Sequence, residues 1–86
     1  MMTEVELGAV THYFGKIGVA AIEIRQDSLT VGETIHVKGH TSDFTQRVDS
    51  MQVDHQDVTV AKAGESVGIR VAGHVHEHDK VFKVVA

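Results

Sequence analysis

Apolar and polar residues alternate along most of this chain with a period of two. The clearest case is Leu29 to Gly39, Leu-Thr-Val-Gly-Glu-Thr-Ile-His-Val-Lys-Gly. Leu29 and Val31 alternate with polar neighbours, a Gly-Glu turn follows, and Ile35 and Val37 resume the alternation. Successive strand side chains point to opposite faces, so Ile35 and Val37 face one way while Thr34, His36 and Lys38 face the other. Gly32 lacks a Cβ and is the residue suited to a positive φ in that turn. The same grammar returns at Ala63-Gly64-Glu65-Ser66-Val67-Gly68-Ile69-Arg70-Val71, and in weaker form at His78-Asp79-Lys80-Val81.

Extended along the chain, this pattern predicts a first strand from Val5 to Tyr13. Val5 and Leu7 share one face and Val10, His12 and Phe14 the other, so the buried face changes near Gly8, as at a β-bulge. A loop, Phe14-Gly15-Lys16-Ile17-Gly18, leads to a second strand over Val19–Ile24. After the Leu29–Gly39 stretch come a polar loop at 40–43, anchored in the core by Phe44, and a strand over Thr45–Val53. There Val48, Met51 and Val53 break strict alternation, which predicts a bulge near Asp49 or Ser50. His55-Gln56-Asp57 reads as a turn and Val58–Ala63 as a helical turn or irregular crossing. Strands over Val67–Val71 and Val81–Val85 flank a loop or hairpin from Gly73 to His78. The expectation is one all-β domain over residues 1–86, a small closed Greek-key β-barrel of about six antiparallel strands, because an open sheet of this size would leave edges unprotected.

Composition supports strands over helices: fifteen Val and five Ile stand against two Leu, with seven Thr besides. No cysteine is present, so no disulfide or thiolate metal site arises, in keeping with a reducing cytoplasm. No segment approaches the apolar length of about 20 residues that spans a bilayer, and the first residues are acidic where a signal peptide would be basic. A cytoplasmic protein away from membranes is expected. The formal net charge is −4, and the eight Lys and Arg are spread at about one per element. That excludes the concentrated basic face of non-specific nucleic-acid binding, so no DNA partner is expected. Seven histidines make any surface contact sensitive to pH near the ordinary imidazole pKa of about 6.5.

Three segments resemble the second, β-barrel domain of the translation GTPases, the elongation factor Tu family. Leu29-Thr30-Val31-Gly32-Glu33-Thr34-Ile35 resembles that family's Leu-x-Val-Gly-Asp-x-[Val/Ile]. Thr45-Gln46-Arg47-Val48-Asp49-Ser50-Met51 resembles Thr-x-x-Val-x-Ser-[Ile/Met], and Ala61-Lys62-Ala63-Gly64-Glu65-Ser66-Val67-Gly68-Ile69 resembles Ala-x-Ala-Gly-[Asp/Glu]-x-Val-Gly. The resemblance covers nearly the whole chain and implies a translation-factor-like barrel. The family's nucleotide site lies in a separate upstream domain with no counterpart here, so neither GTP nor another cofactor is expected. The family's Gly-Arg-Gly-type loop that holds tRNA is replaced by Phe14–Gly18, and no tRNA-contacting residue carries over. Similar barrels also occur alone and as terminal domains of larger enzymes, including peptidase-like proteins linked to RNA modification.

Candidate chemistry is histidine-rich. His36, Lys38 and His40 share the outward face of a strand and form a candidate contact patch for phosphate or carboxylate. Tyr13, with Lys16 nearby, is a candidate for stacking a base, although burying Phe14 and leaving Tyr13 at the rim is the plainer arrangement. His74, His76 and His78 alternate, so in an extended segment their imidazoles would share a face and could bind zinc, nickel or copper. His78 instead occupies the turn position filled by Gly in the repeated grammar, which favours positive φ there. For catalysis, Ser28, Ser42, Ser50 and Ser66 are isolated, and neither G-x-S-x-G nor H-E-x-x-H occurs. Asp54–His55 and His78–Asp79 are sequence neighbours, which a strand points apart. The expectation is therefore a protein that is not an enzyme: a binding module contacting a protein or structured RNA partner connected with translation or RNA modification. The alternatives are a small metal-binding protein using His74 and His76, or the barrel subunit of a larger enzyme. The pattern leaves the oligomeric state open.

Overall fold

The computed structural model describes residues 3–85, so the ends of the expected 1–86 domain lie outside the described residues. The chain is all-β and antiparallel. Ten strands form among the described residues: β1 (Thr3–Phe14), β2 (Val19–Ile24), β3 (Ser28–Thr30), β4 (Thr34–Lys38), β5 (Asp43–Arg47), β6 (Met51–Val53), β7 (Gln56–Val58), β8 (Val60–Lys62), β9 (Ser66–Arg70) and β10 (Lys80–Val85). Eight of them make one sheet in the order β5-β4-β10-β1-β2-β9-β6-β7, and β3 and β8 pair as a separate ribbon. No helix among the described residues is long and apolar enough to cross a membrane.

β1 is the spine of the sheet. It pairs with β10 through its first half and with β2 through its second, the two ladders overlapping at Gly8 and Ala9. The register shifts between Glu6 and Gly8, where the alternation of the sequence predicts the bulge. Gly8 is required there, because a Cβ would lie 1.8 Å from the Glu23 carbonyl oxygen. A second shift, between Val10 and His12, is not visible in the sequence pattern. It reverses the faces, since a slip of one residue exchanges inside for outside. Tyr13 therefore turns toward the core and packs against it, while Phe14 is 47% exposed, the opposite of the expected arrangement.

The interior is packed by aliphatic side chains, among them Leu7, Ile22, Ile24, Leu29, Ile35, Met51 and Ile69, all fully buried. Each contributes about 1.5–3 kcal/mol by leaving water. Lys83 also sits on this inner face of β10, and its Nζ donates to Asp27 Oδ1 at 3.1 Å and to the Ser28 carbonyl at 2.9 Å. The ammonium, together with the Ser28 N–H, holds the Asp27 carboxyl below its usual range.

The structure corrects the expectations for the barrel, for the Thr45–Val53 strand with its bulge, and for residues 55–63. The closed six-stranded barrel is replaced by ten strands among the described residues, whose main sheet ends at two edge strands, β5 and β7, each paired on one side only. The strand expected over Thr45–Val53 is two strands, β5 and β6, which travel to opposite sides of the sheet. The broken alternation around Asp49 and Ser50 marks a change of direction there, not a bulge. The helical turn or crossing expected over Val58–Ala63 includes β8, which pairs with β3 and buries Ala61 beside Leu29. The turn expected at 55–57 falls at Asp54 and His55, both at positive φ, and closes the β6–β7 hairpin.

The repeated grammar has a physical basis. In Thr30–Glu33, Lys62–Glu65 and His76–Asp79 the third residue takes positive φ: Gly32 100°, Gly64 95°, His78 77°. In each, the N–H of the fourth residue donates to the carbonyl of the first. The acidic side chain of the fourth accepts the N–H of the first in return, at 2.7 Å for Glu33 and Glu65 and 2.9 Å for Asp79. The carboxylate satisfies a backbone donor that the turn would leave unpaired.

Where the sheet fails to close, a side chain spans the gap. Gln46 Nε2 donates to the Arg70 carbonyl at 2.8 Å, and the Ala72 N–H donates to Gln46 Oε1 at 2.7 Å. The amide takes the place that a neighbouring strand's peptide group would fill. Gln46→Ala would leave both groups without that partner, and a loss of about 1–3 kcal/mol is expected. Urea denaturation of the two proteins checks this; a loss below 0.5 kcal/mol would mean that water replaces the amide at no cost.

Candidate functional site

The strand phase at the sheet's margin determines what it offers. Gly39 N–H donates to the Ser42 carbonyl and Val48 N–H to the Glu33 carbonyl, bracketing the β4–β5 ladder. Alternate residues of an antiparallel pair bond to the partner, so Phe44 and Gln46 direct their main-chain groups to β4. Asp43, Thr45 and Arg47 therefore direct theirs outward, along an unpaired edge. Between this edge and the end of β9 lies a groove of about 420 Å3, lined by Gln46, Arg47, Asp49, Ser50, Arg70, Val71 and Ala72.

A second groove, of about 410 Å3, opens at the tip of the β1–β2 hairpin. Phe14, Ile17, Val19 and Ala21 give it an apolar wall, and Gln52, Asp54 and His55 form part of its polar rim. Phe14 and Ile17 are among the most exposed large apolar residues, at 47% and 62%. Both grooves fall within the size range of ligand clefts.

Of the predicted contact patch, His36 is engaged within the chain. His36 Nδ1 lies 2.7 Å from Glu4 Oε2 and Nε2 lies 2.5 Å from Asp43 Oδ1. Ionised carboxylates only accept, so this geometry suits a protonated ring that donates from both nitrogens. The Asp43 contact, with Glu4 behind it, raises the His36 pKa against the opposing effect of burial, and His36 lowers that of Asp43. Lys38 stands exposed two residues along the same face, in register with Lys80 and Asp43. His40 is exposed in the bend after β4, and Lys16 in the β1–β2 turn.

His74 and His76 lie together beside Tyr13. Tyr13 and His74 meet edge to face at 4.7 Å between centroids, and His74 and His76 lie 4.7 Å apart. His78 occupies the turn at positive φ, as its place in the repeated grammar implies. Among the described residues no three His, Asp or Glu side chains converge on a metal-sized site. Thr41 Oγ1 lies 3.4 Å from His76 Nδ1, and Asp79 Oδ2 approaches the same nitrogen at 4.0 Å. A nucleophile–base–acid relay needs the acid on the other ring nitrogen, so this trio is not one.

Sequence reasoning missed Gln46, Arg47 and Arg70 as a group. They are brought together by the break between β5 and β6, and no local motif marks that break. It also missed Glu4 and Asp43 as partners of His36, since those contacts cross 32 and 7 residues.

The His36 contacts have a definite pH signature. The folded-state pKa of His36 is raised above its ordinary 6.5, so its stabilisation is full below that value and is lost as pH rises through the raised pKa. Asp43 is lowered from 3.8, so its contribution is present above that value and is lost as pH falls through the lowered pKa. Stability from the His36–Asp43 contact is therefore greatest between about pH 4 and 6.5. His36→Gln is expected to cost about 1 kcal/mol at pH 6 and less at pH 9. Thermal melts of both proteins across that range test this; parallel profiles would rule out the imidazolium.

The sequence matches no protein-family model. It is 40% identical over 80 residues to an uncharacterised protease of Methanocaldococcus jannaschii, covering 92% of this chain and 19% of that protein. It is 30% identical over 81 residues to a collagenase of Porphyromonas gingivalis, covering 93% of this chain and 20% of that one. The chain thus spans about a fifth of the length of the curated relatives it matches. Its fold is similar to the C-terminal domain of a Geobacillus thermoleovorans protein described as a U32 peptidase, with TM-score 0.84, 19% identity, and coverage of 93% of this chain and 91% of that domain.

These findings overturn the likeness to the second domain of the elongation factor Tu family. The motifs that carried it include two of the Gly-Glu turns described above, and those motifs report how a turn is stabilised more than which family it belongs to. The expected translation- or RNA-linked binding module falls with it. So does the expectation of a protein that is not an enzyme, because the relatives are named protease and collagenase. Those names give no better support to a histidine-dependent metal-binding protein.

Proposed function

We propose that this chain takes part in polypeptide cleavage as the counterpart of the C-terminal domain of a U32 peptidase, and that it engages the polypeptide being cut. The observation that carries this reading is the end-to-end correspondence of 93% of this chain with 91% of that domain. The 40% identity with the Methanocaldococcus protease supports it from sequence. The chain matches about a fifth of that relative's length, which fits a module working beside a larger peptidase unit.

The packed interior supports a role for the outer surface. Its aliphatic residues fill the space between strands, while the two grooves and the free edge of β5 lie outside. An unpaired edge and an apolar cleft are the features by which folded domains hold extended peptides.

Hydrolysis of fluorogenic gelatin and casein by a U32 peptidase lacking its C-terminal domain, with and without this chain added, tests the reading. A saturable rise in rate of at least about fivefold, or roughly 1 kcal/mol, is expected. No change with either substrate, under conditions where the intact peptidase cleaves both, would overturn it.

A further inference from the structure

We infer that the seam between the outer edge of β5 and the Arg70–Ala72 segment binds an extended acidic polypeptide segment, which adds to the sheet as a strand beside β5. The choice of a polypeptide rests on the peptidase reading; the placement rests on the seam itself.

The edge is available. Asp43, Thr45 and Arg47 present three successive sets of outward main-chain donors and acceptors, as the phase of the β4–β5 ladder requires. Natural sheets usually cover or block such an edge, because it is a template for another strand. Across the seam, the Arg70 carbonyl and the Ala72 N–H are already held by Gln46. That wall has bonded elsewhere, so β5 is left to pair with something else.

Charge selects the occupant. The chain carries a formal charge of −4, yet two of its three arginines, Arg47 and Arg70, line this groove. Arg70 forms no ion pair among the described residues, and Arg47 approaches Asp49 only at 3.8 Å with both side chains largely exposed. Counting Asp49, the lining keeps one net positive charge. A guanidinium presents a planar fork of donors that matches a carboxylate. Arg47 lies on the outward face of β5 with Thr45, so an added strand would offer alternate side chains on that same face. An acidic residue there meets Arg47 on one side and Arg70 on the other. Val71 and Ala72 supply an apolar wall for an intervening aliphatic side chain.

The test is an NMR titration of the 15N-labelled chain with an acetylated peptide alternating Val and Glu, and with its counterpart alternating Val and Lys. The expected result is a set of shift changes confined to β5 and residues 70–72, with slowed hydrogen exchange at the Asp43, Thr45 and Arg47 amides. The lysine peptide should bind about tenfold more weakly, and Arg70→Glu should weaken the glutamate peptide by a similar factor. Thr45→Pro should abolish binding while keeping the β4 ladder, because it removes an N–H that points outward. Arg70→Glu alters an exposed side chain and keeps the proposal testable if the proline variant fails to fold. Shifts centred on Phe14 and Ile17, equal binding of both peptides, or the same shifts with inorganic phosphate alone would overturn the proposal. So would concentration-dependent self-association through β5, which would assign the edge to a second copy of the chain. The titration needs no peptidase. Its failure beside an intact rate enhancement removes the seam alone, and peptide binding without rate enhancement removes the peptidase reading alone.

Discussion

Both halves of the sheet hang on one strand, and that strand can serve both because of what is missing at Gly8. β1 pairs with β10 up to Ala9 and with β2 from Gly8 onward, so in the main-chain ladder the β5-β4-β10 side and the β2-β9-β6-β7 side are joined through it. The backbone there touches the Glu23 carbonyl so closely that a Cβ has no room. Just upstream, the Leu7 carbonyl accepts the N–H groups of Arg25 and Gln26, tying the end of β2 to the bend. A side chain at this position would push the two halves apart and expose the aliphatic core between them.

Around that spine, small polar devices do what a longer ladder would otherwise do. The three acid-capped turns reverse the chain without leaving an N–H unpaired. The Gln46 amide stands in for a peptide group, and the Lys83 ammonium ties β10 to the turn before β3. The His36 ring fastens β4 to the start of β1 and of β5 on the outer face. No buried side-chain polar atom among the described residues lacks a partner.

The functional reading follows from that economy. The interior is filled, so the proposed recognition is assigned to the outside, to grooves where the ladder stops. The same break that leaves the outer edge of β5 without a partner strand also brings Arg47 and Arg70 to one groove, which is where the proposed acidic segment is placed.

The sequence by itself determined the all-β class, most strand positions, the bulge at Gly8 and the positive φ of Gly32, Gly64 and His78. Those features are local: a period of two, β-branched residues and turn chemistry act over a few neighbours. The sequence could not show that Thr45–Val53 divides between two sides of the sheet, because leaving one partner for another is a choice among distant strands. Nor could it show that a second bulge turns Phe14 outward, since one residue of slip changes no composition. The motifs shared with a translation-factor barrel misled for the same reason, being turn chemistry that unrelated sheets can share. Only the tertiary structure decided that His36 is bound within the chain and that Gln46, Arg47 and Arg70 border one groove, because those contacts depend on how distant strands are paired.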